Sequence, residues 1–79
     1  MDALELSKKV RDYFSEVHGQ FAVLFFRVEA VEYGEEEWLV ECSFLPAMTA
    51  SEKERVYYKV IISVSGEIKN VTKVVPAAT

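Results

Sequence analysis

Phe14-Ser15-Glu16-Val17-His18-Gly19-Gln20-Phe21-Ala22-Val23-Leu24-Phe25-Phe26-Arg27-Val28 is the stretch in which the hydrophobic period of this chain changes from that of a helix to that of a strand. Upstream of Gly19, Leu6, Val10, Tyr13, Phe14 and Val17 recur at three- and four-residue intervals, while Lys8, Lys9, Arg11, Asp12 and Glu16 occupy the other sides. That pattern predicts an amphipathic helix with one apolar stripe. Asp2 is placed to act as its N-cap, and Glu5 completes a capping-box-like pair. Gly19 supplies the positive-φ residue on which helices commonly stop. The spacing predicts a helix from about residue 3 to residue 18.

Downstream the period is two. Ala22, Leu24, Phe26, Val28 and Ala30 share one face of an extended chain, and Arg27 and Glu29 lie on the other. The first strand is expected over 21–33, followed by a polar turn at Tyr33-Gly34-Glu35-Glu36-Glu37. In the second strand Trp38, Val40, Cys42 and Phe44 alternate with Leu39, Glu41 and Ser43, ending near Leu45-Pro46. Ala47 to Lys53 has no apolar period and reads as a connecting loop with a helical turn from Ser51. Val56, Tyr58, Val60, Ile62 and Val64 form one face of a third strand, and Ser65-Gly66 marks a tight turn. The fourth strand covers Ile68 to Val75, where the three-residue spacing of Ile68, Val71 and Val74 suggests a bulge. Pro76 closes it, and 76–79 is expected to be a loose tail after a single domain over 1–75.

A helix followed by four closely linked strands predicts an α+β fold: one N-terminal amphipathic helix across a four-stranded antiparallel meander, in two layers. The face toward the helix should gather Leu24, Phe26, Val28, Val40, Cys42, Phe44, Tyr58, Val60 and Ile62 against Leu6, Val10, Phe14 and Val17.

With 79 residues, 51% of them hydrophobic and 28% charged, the chain has the composition of one small globular domain. A domain of this size buries only about 60% of its unfolded surface, so many recruit disulfides, metals or a second subunit. One cysteine and one histidine exclude a disulfide within the chain and make a zinc site implausible. A second subunit remains. The acidic start Met1-Asp2-Ala3-Leu4-Glu5 lacks the basic, apolar pattern of a signal peptide, and no run approaches the ~18 apolar residues of a membrane span. A cytoplasmic protein without membrane contact is expected. Eleven of the thirteen acids are Glu, and Gln20 and Asn70 are the only side-chain amides, a balance reported for thermophilic proteins.

No residue pattern announces catalysis. His18 is the only imidazole and falls at the predicted helix end, where complementing the C-terminal dipole is its ordinary role. Cys42 keeps register with Trp38, Val40 and Phe44, as a small core residue does. Glu35-Glu36-Glu37 lacks the alternating ligands and glycine of a calcium loop. Arg27, Glu29, Glu41, Lys59 and Lys73 should project away from the helix and form cross-strand ion pairs. A net charge of -4 without a basic cluster argues against nucleic acid, and Gly19, Gly34 and Gly66 make no phosphate loop. No cofactor is expected.

The run Tyr58-Lys59-Val60-Ile61-Ile62-Ser63-Val64-Ser65-Gly66-Glu67-Ile68 resembles the closing hairpin of PepSY-type domains. The helix-then-sheet order is similar to the wider cystatin-like group. With Trp38 and Glu41 ahead of it, the hairpin also resembles that of the O-type gas-vesicle accessory proteins. The PepSY resemblance implies an inhibitory or regulatory module, often extracytoplasmic, and brings no catalytic residue with it.

The second face of the sheet, beyond the reach of a single helix, should expose Phe21, Val23, Phe25, Leu39, Tyr57 and Ile61. An apolar patch of that size usually marks a binding surface, and an apolar edge strand invites pairing with another chain. The sequence therefore suggests a non-catalytic interaction module, a homodimer or a partner of another protein, joined through the open sheet face or the edge of the first strand. The alternative is a pocket for a small apolar ligand lined by Tyr13, Trp38, Cys42 and Tyr58, as in cone-shaped nuclear-transport-factor-like proteins, some of which are enzymes.

Overall fold

The Asp2 carboxylate accepts the Glu5 backbone N–H over 2.8 Å and starts helix α1, Ala3–His18, in the computed structural model, which describes residues 2–75. The expectations for Pro76 and the 76–79 tail lie outside the described residues. Gly19, at φ 91°, ends the helix with its N–H on the Ser15 carbonyl. Four strands follow: β1 (Leu24–Gly34), β2 (Glu37–Leu45), β3 (Val56–Ser63) and β4 (Ile68–Val74). They form one antiparallel sheet in the order β1-β2-β3-β4, so β1 and β4 are its edges. The expected α+β class and meander are observed.

Leu6, Val10 and Phe14 of α1 are buried against Val40, Cys42 and Phe44 of β2 and Val60 and Ile62 of β3. The Phe14 ring lies 5.2 Å from Phe44 and 4.8 Å from Tyr58, centre to centre, within the range in which tilted aromatic pairs attract. Phe26, Val28, Tyr13, Trp38, Tyr58, Ile68 and Val71 pack around this centre. His18, in the last turn, lies over the Phe14 ring at 5.8 Å.

Two expectations about the helix-strand junction are corrected. Gln20–Ala22 coil into a short 3-10 turn, with the Ala22 N–H on the Gly19 carbonyl, so β1 begins at Leu24 instead of residue 21. Val17 remains 58% exposed, and Val23 is the residue of this region that enters the core. The helical stripe loses its last position because the chain leaves the helix one residue after His18 and folds back before extending.

Both edge strands depart from a regular ladder. β1 has register shifts between Leu24 and Arg27 and between Val28 and Ala30, and the β3-β4 pairing shifts between Ile61 and Ile62. The last shift sets Ile68 and Val71 against the core while Val74 pairs with Tyr57 on the other face. It is the irregularity that the spacing of these three residues predicts. Lys73 pairs with Tyr58, which places it at a helix-side position, correcting its expected projection to the far face. The connection from β2 to β3 contains the expected helical turn, Glu52–Glu54, with a capping box between Ser51 and Glu54.

Candidate functional site on the uncovered sheet face

The register of β2 and β3 puts Leu39 beside Ile61, Glu41 beside Lys59, and Ser43 beside Tyr57, all on the face opposite α1. The Leu39–Ile61 pair is half-buried. Ion pairs flank it on both sides: Glu37 with Lys69 at 2.7 Å and Glu41 with Lys59 at 3.8 Å. These pairs are exposed and contribute little to stability individually.

Toward the other end of this face the β2-β3 connection folds over the sheet and delivers Arg55. Its side chain is 4% exposed, and its five N–H donors allow several partners at once. Nη1 donates to the Phe25 carbonyl at 2.9 Å and to Ser43 Oγ at 3.2 Å, while Nε and Nη2 reach the Glu52 carboxylate, the latter at 2.9 Å. Ser43, itself fully buried, donates its hydroxyl to Glu29 Oε2 at 2.6 Å. Arg27 Nε donates to the same oxygen at 2.7 Å. Among the described residues, no buried side-chain nitrogen or oxygen lacks a partner.

This network favours the charged form of its acids. The Ser43 hydroxyl and then the Arg27 guanidinium hold the Glu29 carboxyl below the usual carboxylate range. Arg55 does the same for Glu52. Carboxylates stabilised in the charged form are weak proton acceptors. Burial pushes the Cys42 thiol up to about 12, so it is not a thiolate at neutral pH.

A cleft of about 640 Å³ opens beside the network. Glu29, Glu41, Glu52, Lys53, Arg55 and Lys59 line it, with Tyr57 and Val74 supplying apolar wall. Three acids and three bases make its lining formally neutral.

Phe25 stands at the edge of this arrangement. It occupies the β1 irregularity with φ 51°, a left-handed conformation rare for a bulky side chain, and it is 73% exposed. Such a residue costs on the order of 1–2 kcal/mol and persists where its surroundings over-determine the backbone. The Phe25 carbonyl accepts the Arg55 hydrogen bond, and the residue falls within the Leu24–Arg27 register shift.

The six residues expected on the second face are therefore dispersed. Leu39, Tyr57 and Ile61 lie there half-buried. Val23 is in the core, which removes it from any surface. Phe21 sits in the 3-10 turn before the sheet, 74% exposed, and Phe25 in the irregular segment. The second face is consequently less apolar than the two-residue period implies, because the strand starts late and its first irregularity breaks the alternation.

The four residues of the alternative pocket do not share one cavity either. Cys42 and Tyr58 reach the cleft just described, whereas Trp38 packs on Tyr33 at 4.6 Å and borders a separate depression with Leu39 and Ile61. Tyr13 borders a third, with Glu16 and Ile68. Sequence reasoning missed Arg55, Ser43 and Glu52. The capping turn at Ser51 was the available signal that this loop is ordered, but nothing in the spacing links Arg55 to Phe25, thirty residues away.

Among the described residues, no group of His, Cys, Asp or Glu is arranged to hold a metal ion, and no helix is long and apolar enough to cross a membrane. No protein family, curated protein or solved structure matches the chain.

Proposed function

We propose that the chain is a small protein-interaction module that performs no chemistry of its own and pairs with a second copy of itself through the start of β1 and the adjoining uncovered face. The observation that carries this reading is Phe25: a bulky aromatic in a costly backbone conformation, its carbonyl bonded by a buried arginine and its ring left in water. Strain maintained at an exposed aromatic is typical of binding sites, and large aromatics are common anchors of interfaces. Phe21, also exposed and four residues earlier, adds apolar surface.

Shape supports a partner over this face. The chain is a slab with extents of 37 × 30 × 18 Å, and α1 covers only one of its broad sides. The other side is large enough for the roughly 800 Å² per partner of a standard interface. The resemblance of the closing hairpin to PepSY-type modules fits a regulatory role, and the single reduced thiol at Cys42 fits a cytoplasmic setting. An apolar small-molecule ligand is a poorer match, since the four residues expected to enclose it border three separate depressions.

Molar mass by light scattering on a size-exclusion column, at concentrations down to the low micromolar range, tests the proposal. Twice the monomer mass is expected for the native chain, and a folded monomer for Phe25→Asp. A native chain that stays monomeric at every concentration sinks the self-association.

A further inference from the structure

Between Leu45 and Val60 the chain has a single buried residue, Arg55. The connection ahead of it, 46–54, is exposed apart from the partly covered Ala50. Its own hydrogen bonds are local: the Ala50 N–H to the Ala47 carbonyl, the Glu54 N–H to the Ser51 carbonyl, and the Ser51–Glu54 capping box. Arg55 fastens this segment to the sheet through the Phe25 carbonyl on β1 and Ser43 on β2, with an exposed 4.0 Å pair between Glu52 and Arg27 beside it. We infer that the β2-β3 connection is a strap latched by Arg55, and that it opens as one unit with the start of β1 while the rest of the sheet stays folded. Every contact involved lies within one chain, so the device is independent of the pairing proposed above.

The start of β1 is weakly held from its own side. Leu24 pairs with Leu45 and Arg27 with Ser43, so Phe25 and Phe26 stand against the single residue Phe44, and the ladder is interrupted there. The Phe25 carbonyl bonds to Arg55, and its φ of 51° stores strain that opening releases. Sparse burial, an interrupted ladder on an edge strand and a strained residue are the features of segments that open below the free energy of global unfolding. One guanidinium bonds Phe25 on β1 and Glu52 in the connection together. When either segment leaves, the other loses part of its own fastening, and this couples the two.

The latch also governs the cleft. Glu52, Lys53 and Arg55 form one side of it, and every other residue that lines it lies on one of the four strands. With the strap latched there is a recess of about 640 Å³; with the strap lifted the same residues form open sheet surface. Access to this part of the sheet therefore follows the Arg55 equilibrium.

The competing arrangement is a fixed connection, released only when the whole domain unfolds, with Arg55 an ordinary buried bridge. Hydrogen–deuterium exchange of the full chain, followed by mass spectrometry at urea concentrations below the unfolding transition, separates the two. Peptides covering 24–28 and 46–56 should share one opening free energy and one urea dependence, shallower than that of the β2-β3 ladder around Val40 and Val60. Arg55→Ala should speed exchange in both peptides by about tenfold or more, because each opening then has fewer bonds to break. The β1-β2 turn at 34–37, which Arg55 does not touch, should exchange as in the native chain.

Different urea dependences for the two peptides, or acceleration of only one of them in Arg55→Ala, would overturn the coupling. Exchange of both in step with Val40 and Val60 would overturn the strap, since the connection then opens only with the core. Should Arg55→Ala fail to fold by circular dichroism, the urea series on the native chain decides the matter by itself.

Discussion

Arg55 Nη1 donates a hydrogen bond to the Phe25 carbonyl over 2.9 Å, joining the end of the β2-β3 connection to the irregular start of β1. This contact ties an edge strand to a loop that crosses the next strand. It also accounts for a buried cation on a sheet face that no helix covers.

Arg55→Ala leaves the Phe25 carbonyl and Ser43 without their shared donor. The expected loss is about 1–3 kcal/mol, read as a lower urea midpoint with an unchanged slope. Arg55→Lys should recover less than half of it, because a single ammonium cannot reproduce the planar fork that reaches Phe25, Ser43 and Glu52 together. Equal stability of Arg55→Ala and the native chain would show that the network contributes nothing to folding.

Phe25→Gly acts on the backbone. Glycine adopts φ 51° without penalty, and a ring that is 73% exposed gives up little burial. The folded monomer should gain about 1 kcal/mol in urea unfolding, after the extra entropy of a glycine in the unfolded chain is counted. A β-branched residue at the same position, as in Phe25→Val, should lose stability instead.

Acid should weaken the fold through Glu29. Its carboxyl titrates below the ordinary value in the folded chain because Ser43 and Arg27 favour the charged form. Unfolding then takes up a proton in the interval between the two values, so stability is present above the unfolded value and is lost as pH falls through the folded one. Glu52, held down by Arg55, adds to the same slope. Urea midpoints between about pH 3 and 6 should fall less steeply for Glu29→Gln than for the native chain. Parallel profiles would remove Glu29 from the acid transition.

Cys42 should resist thiol reagents. It is 1% exposed, and burial raises its thiol to about 12. Labelling by a chromogenic disulfide near pH 8 should therefore be slow in the native chain and rapid in denaturant. Because the folded thiol titrates above the unfolded one, its contribution is complete below the unfolded value of 9.0 and is lost as pH rises toward about 12.

The centre and the C-terminal end of the helical stripe should respond differently. Phe14→Ala empties a site that is 1% exposed among Tyr13, Phe44 and Tyr58, and should cost about 3–5 kcal/mol. That is a large part of a stability on the order of 4–12 kcal/mol for a chain of this length. Val17→Ala should fall within about 0.5 kcal/mol of the native chain, since Val17 lies in water.

The element order was legible because each element repeats its own geometry in the sequence. The four-residue spacing of Leu6, Val10 and Phe14 and the two-residue spacing of Val40, Cys42 and Phe44 follow from one buried face per element, and both sets form the core. The Asp2 cap, the Gly19 stop and the odd spacing of Ile68, Val71 and Val74 are also local signals, each decided within a few residues.

Only the tertiary structure decided what surrounds Phe25. Periodicity gives a residue its face on an ideal strand, but it does not register where a strand starts or where an extra residue enters a ladder. A 3-10 turn after Gly19 and a shift at Leu24–Arg27 were enough to send Val23 inward, leave Phe21 and Phe25 in water and retire Val17 from the core. Arg55 reaches Phe25 across thirty residues of chain because the β2-β3 turn closes over the sheet. The energy of such a contact depends on loop closure and on donors and acceptors brought together from three segments, and no single segment of sequence carries that information.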